Sequence, residues 1–367
     1  MQILPIRLAS CLDAVEKLLS IPESFERVIL ATNYPDLAEE AAKLGAEVIM
    51  TPTEGFHLGE HLRDLVLSRN LERVFYMTGA GAPLLSIAEL QEASNILQSR
   101  DEVVYVNNVQ SIDFVGWTPA NRIALIKELP VFDNSLGYLL QREGNLPRKL
   151  IPHSIGAHYD LDTPIDIQIL KFLRHSGICT PRLQQAIDKL NWPTEVLAKF
   201  WEDFVVNNNY PSLWISGRIG GPTIEFCDRV GCGRLRIVSE ERGMRSTGRQ
   251  SMVNSLVGQY IEGTGIDGFF NYVESAAEAA VIDTRPLFVH FKLDPDENDR
   301  FYSDLGEWQR IKDPWVREFT KRAREASIPI ILGGHTLVLG GIWAIAEEIA
   351  AYRRIRESSL DMSSIRN

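Results

Sequence analysis

The chain has 367 residues, 45% of them hydrophobic and 24% charged, and a formal net charge of −11. That length accommodates two domains, each able to bury a core without a disulfide or metal staple. The acidic balance argues against broad, sequence-independent binding to nucleic acid, and the longest apolar stretch, "IPIILGGHTLVLGGIWAIA", is too interrupted by glycines and a histidine for a membrane span.

From the N-terminus, "QILPI" and "RVILAT" are apolar runs of strand length. "YPDLAEEAAKLGA" has helical spacing and stops at Gly45, and "EVIM" follows as a strand. "GEHLRDLVLSRNL" is an amphipathic helix with Leu62, Leu65 and Val66 on one face. "RVFYMTG" is a strand, "IAELQEASNILQS" a helix capped by Ser86, and "EVVYVNN" another strand. Repeated βα units imply a mostly parallel sheet covered on both faces. Residues 113–158 are less regular and are expected to form an insertion over the ligand edge. "AHYDLDTPIDIQILKFLRHSG" then gives strand, turn and helix.

"PRLQQAIDKLNW" and "PTEVLAKFWEDFVVNNN" are helical and are separated at Pro193. In the second half the strand candidates are "LWISG", "LRIVS", "AAVIDT" and "IPIILGG". The helix candidates are "TIEFCDRV", "QSMVNSLVGQYIE", "DPWVREFTKRAREA" and "IWAIAEEIAAYRRI". The expected organisation is an α/β domain over 1–178, a helical connector over 179–210, a second α/β domain over 211–357 and a frayed tail over 358–367. Cys11, Cys179, Cys227 and Cys232 read as free thiols of a reducing compartment, since no further Cys/His pair lies near the last two to complete a zinc set. The start lacks the pattern of a signal peptide, so the expected location is cytoplasmic.

Several motifs carry chemistry. "ILPIRLAS" is expected to place Arg7 and Ser10 at the end of the first strand, where α/β sheets bind ligands and an arginine fork meets a phosphate or a base edge. His57, Gly59 and Arg63 open the helix after "EVIM", a natural anion position. His57, Glu60 and His61 also match the H-x-x-E-H spacing of a zinc hydrolase class. In "YDLDTPID", Asp160 and Asp162 alternate along an expected strand and could share a cation. Thr163, Pro164 and Asp166 form a capping pattern, which gives Asp166 a structural role.

Taken in order, these pieces resemble the sugar-activating cytidylyltransferases, the CMP-Kdo and CMP-sialic acid synthetase type, and the related spore-coat polysaccharide proteins. "ILPIRLAS" is similar to their P-A-R-x-x-S opening, "VFYMTGAGAPLL" to their Gly-Asp-x-Pro-Leu segment and "YDLDTPIDIQIL" to their closing acidic turn. The resemblance spans about residues 1–175. It implies a nucleotide-diphospho-sugar transferase fold of GT-A type and a nucleotidyltransferase that releases pyrophosphate from a nucleoside triphosphate. It further implies nucleotide contacts at Arg7, Ser10 and Gly79, sugar contacts at His57, Gly59 and Arg63, and Mg²⁺ at Asp160 and Asp162. The partner implied is a nucleotide or nucleotide sugar, and related enzymes often pair as homodimers. The chain departs from the pattern twice. No Gly-Lys phosphate loop follows Ser10, which leaves Lys17 as the nearest lysine, and Ala80 and Gly81 stand where the family has its metal-binding Asp.

The second half has its own cluster. Arg218 lies in "ISGRIGGPTIEF", Arg245 in "SEERGMRSTGRQ", Arg285 in "VIDTRPLFVH" and His335 in "LGGHTLVLGG". If the strand ends share an edge, these four line one pocket for a phosphorylated or carboxylated ligand; otherwise the arginines pair with acids. Three readings therefore stand: a cytidylyltransferase-type enzyme, a non-catalytic nucleotide-sugar-binding or scaffold protein, and an enzyme whose site lies in the second domain, at Arg218, Arg245, Asp283, Arg285 and His335.

Overall fold

A computed structural model describes residues 3–364 except 80, 109–111, 203–210, 230, 243 and 245–247. The chain forms two compact units that divide between Asp160 and Leu161.

The first unit contains α1 (Leu4–Leu19), β1 (Ile29–Thr32), α2 (Pro35–Leu44), β2 (Glu47–Met50), α3 (Leu58–Ser68) and β3 (Val74–Met77). It continues with α4 (Ile87–Ser99), β4 (Val103–Val106), β5 (Phe114–Thr118), α5 (Leu136–Arg142), β6 (Arg148–Leu150) and α6 (Ile155–His158). The strands form a parallel pair β1-β2 and a four-stranded sheet in the order β3-β5-β4-β6. β5 runs antiparallel to both of its neighbours, while β4 and β6 are parallel. One face of this sheet packs Leu62 and Val66 of α3 and Leu136 and Leu140 of α5 onto Val104, Val106, Val115 and Trp117. Leu90 and Ala93 of α4 cluster instead with Tyr105 and Phe114. The alternation of side chains along β4 and β5 sends these two sets to opposite faces.

Three expectations are corrected here. "QILPI" opens a helix, not a strand: Pro5 sits in the first turn of α1, where its missing N–H costs nothing. The stretch expected to be an insertion supplies β5, a fully buried member of the sheet. No strand runs through Asp160 and Asp162; Asp160 makes a single antiparallel bridge to Gly81.

The second unit begins with α7 (Pro164–Phe172), α8 (Pro181–Asp188) and α9 (Glu195–Phe200). Then come β7 (Ser212–Gly217), α10 (Thr223–Arg229), β8 (Arg234–Ser239), α11 (Leu256–Ala276) and β9 (Ala279–Asp283). It closes with α12 (Arg285–His290), α13 (Glu297–Leu305), α14 (Pro314–Arg324), β10 (Ile330–Gly333) and α15 (Gly340–Ser364). The backbone expected to fray after residue 357 therefore continues α15. The four strands are all parallel, in the order β10-β9-β7-β8. Phe269, Phe270 and Phe319 of α11 and α14 bury Trp214, Ala280, Ile282 and Leu332 on one face. On α10 and α15, Phe226 stacks on Trp343 with ring centroids 4.8 Å apart, and the Trp343 indole N–H donates to Thr223 (2.9 Å). Among the described residues no helix is long and apolar enough to cross a membrane.

Candidate functional site

In the first unit the sequence-predicted ligand groups meet the chain's own atoms. Arg7 is exposed on α1, and Ser10 is 2% exposed on the same helix, its hydroxyl without a hydrogen-bond partner among the described residues. Neither lies at a strand end. Gly79 stays exposed beside α1, where a Cβ would stand 3.1 Å from Cys11 Sγ. Burial pushes the Cys11 thiol up to about 11. Lys17 donates to the carbonyls of Pro83 (3.0 Å) and Leu85 (2.8 Å) and so ties α1 to the turn after β3.

The start of α3 is covered as well. The Leu58 and Gly59 N–H groups donate to the carbonyls of Val131 (3.2 Å) and Pro130 (3.0 Å). Gly59 is required for that approach, because a Cβ would lie 2.9 Å from the Pro130 carbonyl oxygen. His57 caps the helix, its Nδ1 accepting from the Glu60 N–H at 3.3 Å, and Arg63 pairs with Asp64 (2.8 Å). His57 thus fills a capping role, and the donors expected to face a nucleotide or sugar are already taken.

Among the described residues no group of three or more His, Cys, Asp or Glu side chains converges as a metal set. Mg²⁺ often takes only one or two carboxylates together with substrate phosphates. Asp160 is held beside the turn after β3 by its backbone bridge to Gly81. Asp162 lies across the division between the units, and its backbone N–H donates to the Asp166 carboxylate (3.2 Å). Asp166 also accepts from the Thr163 N–H (2.7 Å) and hydroxyl (2.8 Å), the structural capping role expected of it.

The second unit gathers chemistry at one place. Because β7 to β10 are parallel, their carboxyl ends share an edge. Strand order reverses between β7, which is followed by β8 on one side, and β9 on the other, and such a switch point opens a crevice in α/β sheets. Asp283 ends β9 there and Arg218 follows β7. Arg218 holds the Asp283 carboxylate with Nε at 2.6 Å, Nη2 at 3.0 Å and its backbone N–H at 3.2 Å. The Arg285 N–H adds a fourth donor at 3.2 Å. Gly217 makes this possible. Its φ is +122°, and a Cβ would lie 2.4 Å from the Asp283 Cβ.

Arg285 grips Asp304 of α13 with two bonds of 2.7 and 2.8 Å and also reaches the Thr284 hydroxyl (2.8 Å) and the Gly333 carbonyl (3.3 Å). Burial pushes the Asp283 carboxyl up, but Arg218, then His335 and Arg285, outweigh it and hold the group below the usual carboxylate range. Asp304 goes the other way: burial raises it, Arg285 offsets only part of that, and the Asp283 charge adds to the rise. His335 follows the Gly333–Gly334 turn after β10 and acts electrostatically on Asp283.

Of the four residues expected here, Arg218, Arg285 and His335 lie at the shared edge, and Arg245 lies outside the described residues. Both arginines are paired with buried acids, Asp283 and Asp304, rather than with Glu240 and Glu241 on a solvated face. Glu240 instead caps α11 through the Ser255 hydroxyl (2.5 Å) and the Leu256 N–H (2.7 Å). Sequence reasoning missed Asp304. Its signal was an acid on the apolar stripe of a helix, beside buried Phe301 and Leu305.

Compared with known proteins, the chain matches no protein-family model and no curated protein.

Proposed function

We propose that this protein binds a small anionic molecule, phosphorylated or carboxylated, at the carboxyl edge of the parallel sheet in its second unit. The observation that carries the reading is the Arg218–Asp283 pair at the strand-order reversal. Asp283 is fully buried, whereas the Arg218 side chain keeps 20% of its surface open. Its Nε and Nη2 face are spent on the carboxylate, which leaves the Nη1 edge of the fork for a ligand. A guanidinium fixed in this way loses little freedom when it meets an anion, which is what a preorganised donor needs. Arg285, spent on Asp304 and Gly333, is a positioning residue, and His335 supplies a second polar group at the same edge.

A second reading keeps the nucleotidyltransferase resemblance in the first unit. It is favoured by the Gly81–Asp160 bridge, which joins the turn after β3 to the acid that would hold Mg²⁺. Thermal unfolding of the full chain separates the two readings. Inorganic phosphate, sugar phosphates, CTP and CMP, each with and without Mg²⁺, are tested on wild type, His335→Ala and Asp160→Asn. A ligand at a hundred times its Kd stabilises by about 2.7 kcal/mol, a rise in Tm of several degrees. A rise with phosphate compounds that is lost in His335→Ala supports the second-unit site. A rise specific to CTP and Mg²⁺ and lost in Asp160→Asn supports the first unit. A flat response to every compound removes both readings.

A further inference from the structure

Helix α10 ends in a left-handed cap that seats two cysteines against each other. Gly231 has φ +71°, its N–H donates to the Asp228 carbonyl (3.0 Å), and the Cys232 N–H donates to the Cys227 carbonyl (3.3 Å). These are the paired 5→2 and 6→1 bonds of a Schellman cap, in which the side chains of the first and last residues touch and are commonly apolar. Here both are cysteines. Cys227 is buried at 1% exposure, and Cys232 is half-buried. The backbones at the two positions stand one hydrogen bond apart.

The pair is asymmetric. The neighbouring Cys227 holds the Cys232 thiol below its ordinary value; burial opposes that, and Arg353 reinforces it. Cys227 is raised by the same neighbour and by burial. A half-buried cysteine that favours the thiolate, next to a buried thiol that can resolve it, is the arrangement of a reactive dithiol. Cys11 differs, being buried on α1 with its thiol pushed up to about 11.

We propose that Cys227 and Cys232 form a redox-active dithiol that small-molecule disulfides oxidise to an intramolecular disulfide. The Cys232 thiolate attacks one sulfur of the small disulfide. The S–S bond breaks, a mixed disulfide forms on Cys232, and the departing thiolate takes up the proton Cys232 released. Cys227 then loses its proton, attacks the Cys232 sulfur and expels the second thiolate, which takes that proton. Two protein thiols are oxidised, one disulfide is reduced to two thiols, and no other reactant is needed. This site is independent of the proposed anion site.

Tryptic mapping of the full chain tests the proposal. Arg229 lies between the cysteines, so trypsin releases them on separate peptides, 219–229 and 230–234. The native protein is incubated with oxidised glutathione, denatured, alkylated without reduction and digested. The expected product is the two peptides joined by a disulfide. Recovery of both in alkylated form overturns the proposal. So does glutathione retained on Cys232 beside an alkylated Cys227, or bound zinc that shields both thiols. Cys227→Ser should leave a stable glutathione adduct on Cys232. Gly231→Ala, forced into a left-handed conformation, should slow joining about fivefold, and an unchanged rate would show that the cap does not set the pair.

Discussion

Gly217 is the residue on which the candidate site turns. With φ +122° and no room for a Cβ against Asp283, Gly217→Ala is expected to cost about 1–3 kcal/mol in urea unfolding and to weaken phosphate binding with it. The buried acids of the second unit predict a pH signature as well. Asp166 is raised well above the ordinary carboxylate value by burial first, then by the Asp162 charge, with the Thr163 hydrogen bonds opposing. A folded-state pKa above the unfolded one means that the folded chain holds the proton longer. The contribution of Asp166 is therefore complete below the unfolded pKa and is lost as pH rises through the folded one. Asp304, also raised, adds to the same slope. Urea midpoints measured from pH 4 to pH 8 should fall with pH in wild type, and Asp166→Asn should remove part of that fall; an identical slope in the variant would place the titrating group elsewhere. At this scale the sequence was informative about Arg218, Arg285 and His335, because each follows an apolar run with glycine or a turn beside it. Asp283 was legible as a member of the same cluster, but not its grip on Arg218, and Asp304 was not legible at all, because the partner of a buried guanidinium is set by tertiary packing.

At the scale of elements, the parallel strands of the second unit were legible because each carries a short apolar run between turn signals, with β7, β9 and β10 largely buried on both faces and edge strand β8 only partly buried. The N-terminal element was not, because a four- or five-residue apolar run fits a strand or the first turn of a helix equally well. What decides it is the period that follows: Ile6, Ala9, Ser10 and Asp13 are buried at helical spacing. β5 was missed because Gly116 interrupts its apolar run. The glycine is there for packing, since a Cβ would lie 3.0 Å from Leu97 of α4. Lys17, the lysine nearest to the absent phosphate loop, is instead a tether. Its ammonium bonds two carbonyls after β3, while Leu12, Val15 and Leu19 pack toward Leu30 and Val48. Lys17→Met keeps the apolar stem and removes both bonds, and should lower stability by about 2 kcal/mol in urea unfolding. A variant as stable as wild type would mean that the tether contributes nothing to the hold on α1.

For the whole molecule, the question is where the second unit begins. Turn and linker signals after the helix ending near Gly177 favoured a boundary at residue 178, whereas the compact units divide between Asp160 and Leu161. The eighteen or so residues in dispute hold α7 and the turn after it, and their chemistry argues for the earlier division. Glu348 of α15 is 1% exposed, and its carboxylate accepts the backbone N–H groups of Arg174 (2.8 Å), His175 (2.8 Å) and Ser176 (2.9 Å), with His175 Nδ1 at 2.6 Å. Burial alone would raise this carboxyl; those N–H groups hold it below its ordinary value. Ile165 of α7 lies against Gly333 at the end of β10, so the same segment also walls the candidate edge. A chain cut to begin at Leu161 keeps every one of these partners. A chain cut to begin at Cys179 leaves a buried carboxylate without its donors, a loss of about 3–5 kcal/mol, which is a large share of the stability of a typical domain. The first fragment should show a single cooperative urea transition with near-native circular dichroism, and the second should be largely unfolded in buffer. Glu348→Gln within the longer fragment refines the comparison. The amide still accepts some of the N–H groups, so this variant should fold with a midpoint between the two. If the fragment beginning at Cys179 unfolds as cooperatively as the longer one, the donors from residues 174–176 are dispensable and the division lies where the turn signals put it.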